Sequence, residues 1–167
     1  MEGALTKIND ELYYDERSAG GIVYRIENGK VLWLLIKVIP NSKYKSKGER
    51  RPVLKFPKGH LKPNEFLKEA ALREAEEEGK VKAQIKTKLG SNNYVFFDKE
   101  KKRKIIKKVT FFLMEYTGQS DSKYADAEVI IGREWMSYEE ATHRLAYDSE
   151  RILLKKAKQR LEEILRK

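Results

Sequence analysis

The chain contains no cysteine, only two histidines, and no proline beyond Pro63. The first absence excludes disulfides and thiolate zinc sites. The second leaves His60 and His143 too few for a histidine-based metal centre, and His143, on a helical stretch, reads as structural or exposed. Also missing is any apolar run long enough to span a bilayer, and the opening MEGALTKINDELYYDERS has no signal-peptide pattern, so a cytoplasmic protein with no membrane part is expected. Acids are in deficit, 26 Asp and Glu against 36 Lys and Arg, which leaves a net charge of +10. Such a field favours polyanions. Two runs concentrate it, residues 43–51 (KYKSKGERR) and 99–108 (KEKKRKIIKK). They read either as solvated loops or as a funnel for a multi-phosphate substrate or RNA. A length of 167 residues with 40% hydrophobic content suits one domain with one core across residues 1–167.

The scarce acids cluster where the chain reads GHLKPNEFLKEAALREAEEEGKV, from Gly59 to Val81. Residues 65–78 hold no Gly, Pro or β-branched residue, and Pro63-Asn64 precedes them, which predicts one helix of about four turns. Glu74, Glu77 and Glu78 then stand at i, i+3 and i+4 on one face. That face continues the stripe of Leu67, Ala70 and Ala71, so the three carboxylates extend the apolar side of the helix. Acids so placed repel one another unless a cation neutralises them, and an all-oxygen donor set suits Mg²⁺ or Mn²⁺. Glu69 and Glu76 read as ordinary surface acids. Arg73 flanks the acid face beside Glu77, with Glu65 more than two turns away and pointing to the opposite side. Ahead of the helix, Phe56-Pro57-Lys58-Gly59-His60 forms a loop in which Gly59 can bring backbone close to a metal or phosphate and Lys58 supplies a compact positive charge.

The spacing of Gly59, Glu65, Arg73-Glu74 and Glu77-Glu78 resembles the Nudix box, G-x5-E-x7-R-E-U-x-E-E-x-G-U with U aliphatic. The resemblance implies a Mg²⁺-dependent pyrophosphohydrolase, with Gly59, Glu74, Glu77 and Glu78 as metal ligands and a Glu65–Arg73 salt bridge tying the helix to the preceding loop. One departure stands out: Lys80 occupies the late glycine position of the box, with Gly79 one residue early, where the helix is expected to end. Beyond the box, SAGGIVYR, FPKGH, KKVTFFLMEY and the tail EWMSYEEATHRLAYDSERILLKKA are similar to the subgroup that cleaves diadenosine tetraphosphate and related dinucleoside polyphosphates. That likeness implies Phe111 and Tyr147 as base-stacking aromatics, Lys58, His60, Lys107 and Lys108 as substrate-binding residues, and Glu115 as a further metal ligand or water-activating acid. For Phe111 and Tyr147 the core reading is at least as strong as the stacking one, Glu115 can also simply be a solvated strand terminus, and the general base is either Glu74 or Glu115. The proline of many ADP-ribose-cleaving members is absent, as is the upstream pattern of coenzyme A pyrophosphatases. Removal of pyrophosphate from RNA 5′ ends is the second reading, and a nucleotide- or RNA-binding module without catalysis the third. No segment singles out a protein partner.

The remaining chain predicts a hairpin over residues 18–38 turning at Asn28-Gly29, strands at 53–56 and 81–89, a second hairpin joining 94–97 to 109–116 across the basic run, and a last strand at 127–135. Ser137 and Glu140 have capping-box spacing and start a helix at Tyr138. A final helix from about Ser149 presents Ile152, Leu153, Ala157, Leu161, Ile164 and Leu165 as its core stripe. The expected class is α+β, an α/β/α sandwich with a mixed central sheet, as the Nudix resemblance also implies through its loop-helix-loop.

Overall fold

The computed structural model describes residues 15–40, 51–123 and 129–167. The basic run 43–51, Arg51 apart, and the first two residues of the last expected strand lie outside these. In chain order the elements are β1 (Glu16–Glu27), β2 (Lys30–Ile39), β3 (Val53–Lys55), β4 (Lys58–His60), α1 (Leu67–Gly79), β5 (Val81–Asp98), β6 (Arg103–Gln119), β7 (Val129–Met136), α2 (Tyr138–Arg144) and α3 (Asp148–Leu165). The sheet runs β3-β2-β1-β6-β5, with β4 joined to β1 and β7 joined to β2. The β1–β6 pair is parallel and the other pairs are antiparallel, so the sheet is mixed as expected.

Strand alternation splits the core in two. Ala19, Val23, Phe112 and Met114 pack against Ala70, Ala71 and Ala75 of α1, while Ile22, Tyr24, Phe111 and Leu113 pack on the other face with Leu153, Leu154 and Leu161 of α3. The α1 layer holds the acids, and the α3 layer closes the opposite side. At Gly20 a Cβ would overlap the Pro57 carbonyl and approach Lys58 Cβ to 2.7 Å and Phe111 Cε1 to 2.8 Å. The missing side chain is what lets the 57–58 segment lie directly on β1.

Several boundaries differ from the sequence expectation. Helix α1 begins at Leu67, because residues 62–65 close a turn in which Glu65 N–H donates to the Lys62 carbonyl at 3.0 Å and Asn64 takes a positive φ of 64°, as the third position of a type II turn requires. Its exit residue is Lys80, left-handed at φ 58°, and not Gly79. The second hairpin is longer than predicted: β5 is one strand of 18 residues with three register shifts against β6, and residues 103–108 of the basic run are strand rather than loop. In α3 the stripe is rotated, with Ile152 and Leu165 exposed and Glu150 and Leu154 buried. The predicted cap of α2 is present, Glu140 N–H donating to Ser137 Oγ at 3.1 Å.

Candidate active site

Arg73 organises the acids. Its Nε and Nη2 donate to the two Glu65 oxygens at 2.7 and 2.9 Å, and its Nη1 donates to Glu74 at 2.8 Å and Glu77 at 3.0 Å. Nη2 also donates to the His60 carbonyl at 2.9 Å. One planar fork thus ties the turn before α1, the end of β4 and two helix carboxylates together. The implied Glu65–Arg73 bridge forms because Glu65 precedes the helix and folds back over it; a helical Glu65 would have pointed away. Hydrogen bonding to Arg73 holds the Glu65 carboxyl below the usual carboxylate range, and the Glu65 bond in turn raises Arg73 above its ordinary value.

The remaining box acid, Glu78, is buried. Its Oε1 accepts the Lys58 N–H at 2.9 Å, and its own carbonyl accepts Arg133 Nε at 2.7 Å. Burial lowers Arg133, with the Glu78 charge acting in the opposite direction. Gly59 lies against Glu74 so closely that a Cβ there would overlap the carboxylate, which sets the backbone of β4 directly against that acid. Among the described residues no three acids or histidines converge as a ready metal cage. Arg73 and the Lys58 amide occupy the carboxylates instead. The donor set is nonetheless all oxygen, and the glycine cradle at Glu74 fits a hard divalent ion.

Lys58 joins this acid layer to a cleft on the opposite face. Its backbone serves Glu78, while its Nζ stands 5.8 Å from the centre of the Tyr94 ring. The cleft, about 680 Å³, is lined by Lys55, Lys58, Tyr94, Lys107, Tyr147 and Glu150 among others. Tyr147, 46% exposed, is the residue before α3 and presents a ring for stacking. Buried Glu150 accepts the Phe56 N–H at 2.9 Å and so fixes the loop that leads into β4.

Three of the expected site residues are not brought to this place. Phe111 is 1% exposed and packs edge-on to Phe56 at 6.3 Å, so it is core and offers no face to a base. Lys108 follows Lys107 in an unbroken strand and points to the other face. Glu115 shares the face of Phe111 and Leu113, with the whole sheet between it and α1. Thr110 pairs with Ala19 beside Gly59, which puts Glu115 five positions further along, roughly 16 Å away. There it accepts the Tyr24 hydroxyl at 3.4 Å and meets Lys86 Nζ at 3.4 Å. Burial, then the Glu115 charge, pushes the Tyr24 hydroxyl up to about 12. His60 is exposed, its ring 3.4 Å from Glu16 and its carbonyl on Arg73.

The sequence reading passed over Lys55, Tyr94, Arg133 and Glu150. A signal existed for Glu150: it stands three residues before Leu153 on the α3 stripe, a charge on an apolar face, which is the same anomaly that singled out the acids of α1.

The sequence profile of the NUDIX domain matches residues 15–157. Over 111 residues the chain is 32% identical to a candidate mutator protein, MutT4, of Mycobacterium tuberculosis, a match spanning 65% of this chain and 42% of that protein. Among solved structures, an Ap4A hydrolase of C. elegans in a binary complex superposes with a TM-score of 0.60 at 21% identity, covering 89% of this chain and 98% of that one. The NUDIX domain of NrtR from Shewanella oneidensis, complexed with ADP ribose, gives 0.61 at 15% identity, covering 96% and 99%. Proteins that handle different nucleotides thus share this fold, and likeness at such identities speaks for the fold alone.

Proposed function

The chain belongs to the NUDIX family, and from that premise we propose that it is a Mg²⁺-dependent hydrolase of nucleoside diphosphate linkages, acting by preference on diadenosine tetraphosphate or a related dinucleoside polyphosphate to give ATP and AMP. The observation that carries the reading is the adjacency of two environments across β4: an acid layer gathered by Arg73 and a cleft of lysines and tyrosines sized for a nucleotide. The likeness to the C. elegans Ap4A hydrolase and the outer motifs point the same way, and the cytoplasm is the proposed setting.

Glu74, Glu77, Glu78 and the Gly59 carbonyl would hold Mg²⁺ or Mn²⁺, whose chemistry when bound is to neutralise bridging phosphate charge and acidify a water. The water oxygen attacks a phosphorus atom, the bond from that phosphorus to the bridging oxygen breaks, and the leaving phosphate takes that oxygen with it. Of the two candidate bases the reading takes Glu74, since Glu115 lies behind the sheet. Lys58 and Lys107 stabilise charge on the phosphate chain from the cleft side, and Tyr147 stacks on a base. Arg73 holds Glu74 and Glu77 in position and keeps water-exposed conformers out of use.

The test is a hydrolysis screen with diadenosine tetraphosphate, 5′-triphosphorylated RNA, ADP-ribose and dNTPs, with and without Mg²⁺, and with Glu78→Gln as the blank. Preferred, Mg²⁺-dependent formation of ATP and AMP supports the proposal. Preference for another substrate replaces the specificity, and no wild-type turnover on any of them overturns it in favour of a binding module.

A further inference from the structure

The end of the β5–β6 hairpin carries Tyr94, Val95, Phe96 and Phe97 in succession, all exposed, Val95 at 63% and Phe97 at 61%, with the Tyr94 hydroxyl 3.3 Å from Ser149 Oγ in the first turn of α3. Strand β5 is an edge of the sheet, and alternation sends Tyr94 and Phe96 to the cleft face and Val95 and Phe97 to the other. The turn itself is rigid: Asp98 Oδ1 accepts the Glu100 and Lys101 N–H groups at 2.9 and 3.0 Å. Around it Lys99, Lys101, Lys102 and Lys104 are exposed. Lysines beside an apolar edge strand discourage pairing between copies, which accounts for the charge. It does not account for three aromatic rings left exposed within four residues of one strand.

We propose that this hairpin end is a docking surface for single-stranded RNA. Rings accept any unpaired base through their π faces, while lysines follow the phosphate backbone. On the cleft face Tyr94 and Phe96 are two strand positions apart, about 6.8 Å, a spacing that takes successive unstacked bases. The track continues from the turn past Phe96 and Tyr94 to Lys58, whose Nζ lies over the Tyr94 ring. A duplex hides its base faces and fits badly. RNA is favoured over DNA because its ordinary state is single-stranded. A second copy of this chain would set four lysines against four, so like charge opposes that occupant. The docking surface adjoins the proposed active site but does not depend on hydrolysis, so it is tested without metal.

Anisotropy of a labelled 12-nucleotide RNA is titrated with the full chain in EDTA over a range of salt. The Phe96→Ala/Phe97→Ala variant is expected to raise Kd at least tenfold with the salt slope unchanged. Replacing Lys99, Lys101, Lys102 and Lys104 by Ser is expected to weaken binding and lower the slope of log K against log salt by about 3. Duplex RNA bound as tightly as the single strand, DNA bound more tightly than RNA, or an unchanged Kd in the phenylalanine variant overturns the proposal. Sedimentation showing a wild-type dimer that the phenylalanine variant dissolves would overturn it in favour of a second copy. Failed hydrolysis with hairpin-dependent RNA binding sinks the proposed enzyme alone, and the reverse pattern sinks this surface alone.

Discussion

At Arg73 a single side chain makes five hydrogen bonds, to Glu65, Glu74, Glu77 and the His60 carbonyl. Glu65 is held below the ordinary carboxylate range, by Arg73 first. Its stabilising contribution is therefore complete above the unfolded value, about 4.3, and is lost as pH falls through the lower folded value. Thermal unfolding of Glu65→Gln is expected to show a deficit of about 1–2 kcal/mol at pH 7 that closes below about pH 4; a deficit constant with pH would separate it from the carboxylate charge. For catalysis, Glu77→Gln or Glu78→Gln is expected to lower kcat by about 10²-fold or more, whereas Glu115→Gln should change it by less than about threefold, being across the sheet. Equal losses from Glu78→Gln and Glu115→Gln would show the placement of Glu115 to be wrong. The box residues were legible because charge on an apolar stripe is costly and fixed spacing turns that cost into a pattern. Glu115 could not be placed from the sequence, because alternation gives a face but not which layer covers that face. For Phe111 the sequence left core and stacking open, since an aromatic on a strand carries no mark of whether a helix lies over it.

Among the elements, α1 was legible in its interior and not at its ends. Its start was set by the turn at Asn64 and its exit by Lys80, both with positive φ. A lysine in the left-handed region costs about 1 kcal/mol relative to glycine, offset here by a bond from Lys80 Nζ to the Ser122 carbonyl. Lys80→Gly is expected to raise stability by about 0.5–1 kcal/mol, read as a higher melting temperature. A lower one would mean that the Ser122 tie outweighs the backbone strain. In α3, Glu150→Ala leaves the buried Phe56 N–H without its acceptor, and a loss of about 1–3 kcal/mol is expected on denaturant titration. Strand β5 was read as two pieces, 81–89 and 94–97, because Gly90, Ser91 and Asn92 look like a break, and β6 was read only from residue 109. One register shift falls between Lys88 and Gly90, and beyond it Ser91 and Asn92 pair regularly with Thr110 and Val109.

On the scale of the molecule, the mixed sheet was foreseeable from strands flanking one acidic helix and a helical tail, while the division of labour between its faces was not. That division depends on which neighbour each strand finds, a long-range property no local window contains. The +10 charge acts at this scale as well. For a highly anionic substrate kcat/KM should fall as salt rises from about 0.01 to 0.15 M, where the screening length shrinks from about 30 to 8 Å, with kcat little changed; a flat kcat/KM would show that the field does not steer capture. Strand β4 lies between the faces, pressed on β1 at Gly20 and on Glu74 at Gly59 with no room for one further carbon. A side chain at either glycine would have to lift β4 off the sheet or off Glu74, so a molecule entering the cleft meets a closed wall on that side and exposed surface at Tyr147 and the β5–β6 hairpin. β4 is the anvil of the site, and whatever adapts to an incoming ligand is expected to do so on the other side of it.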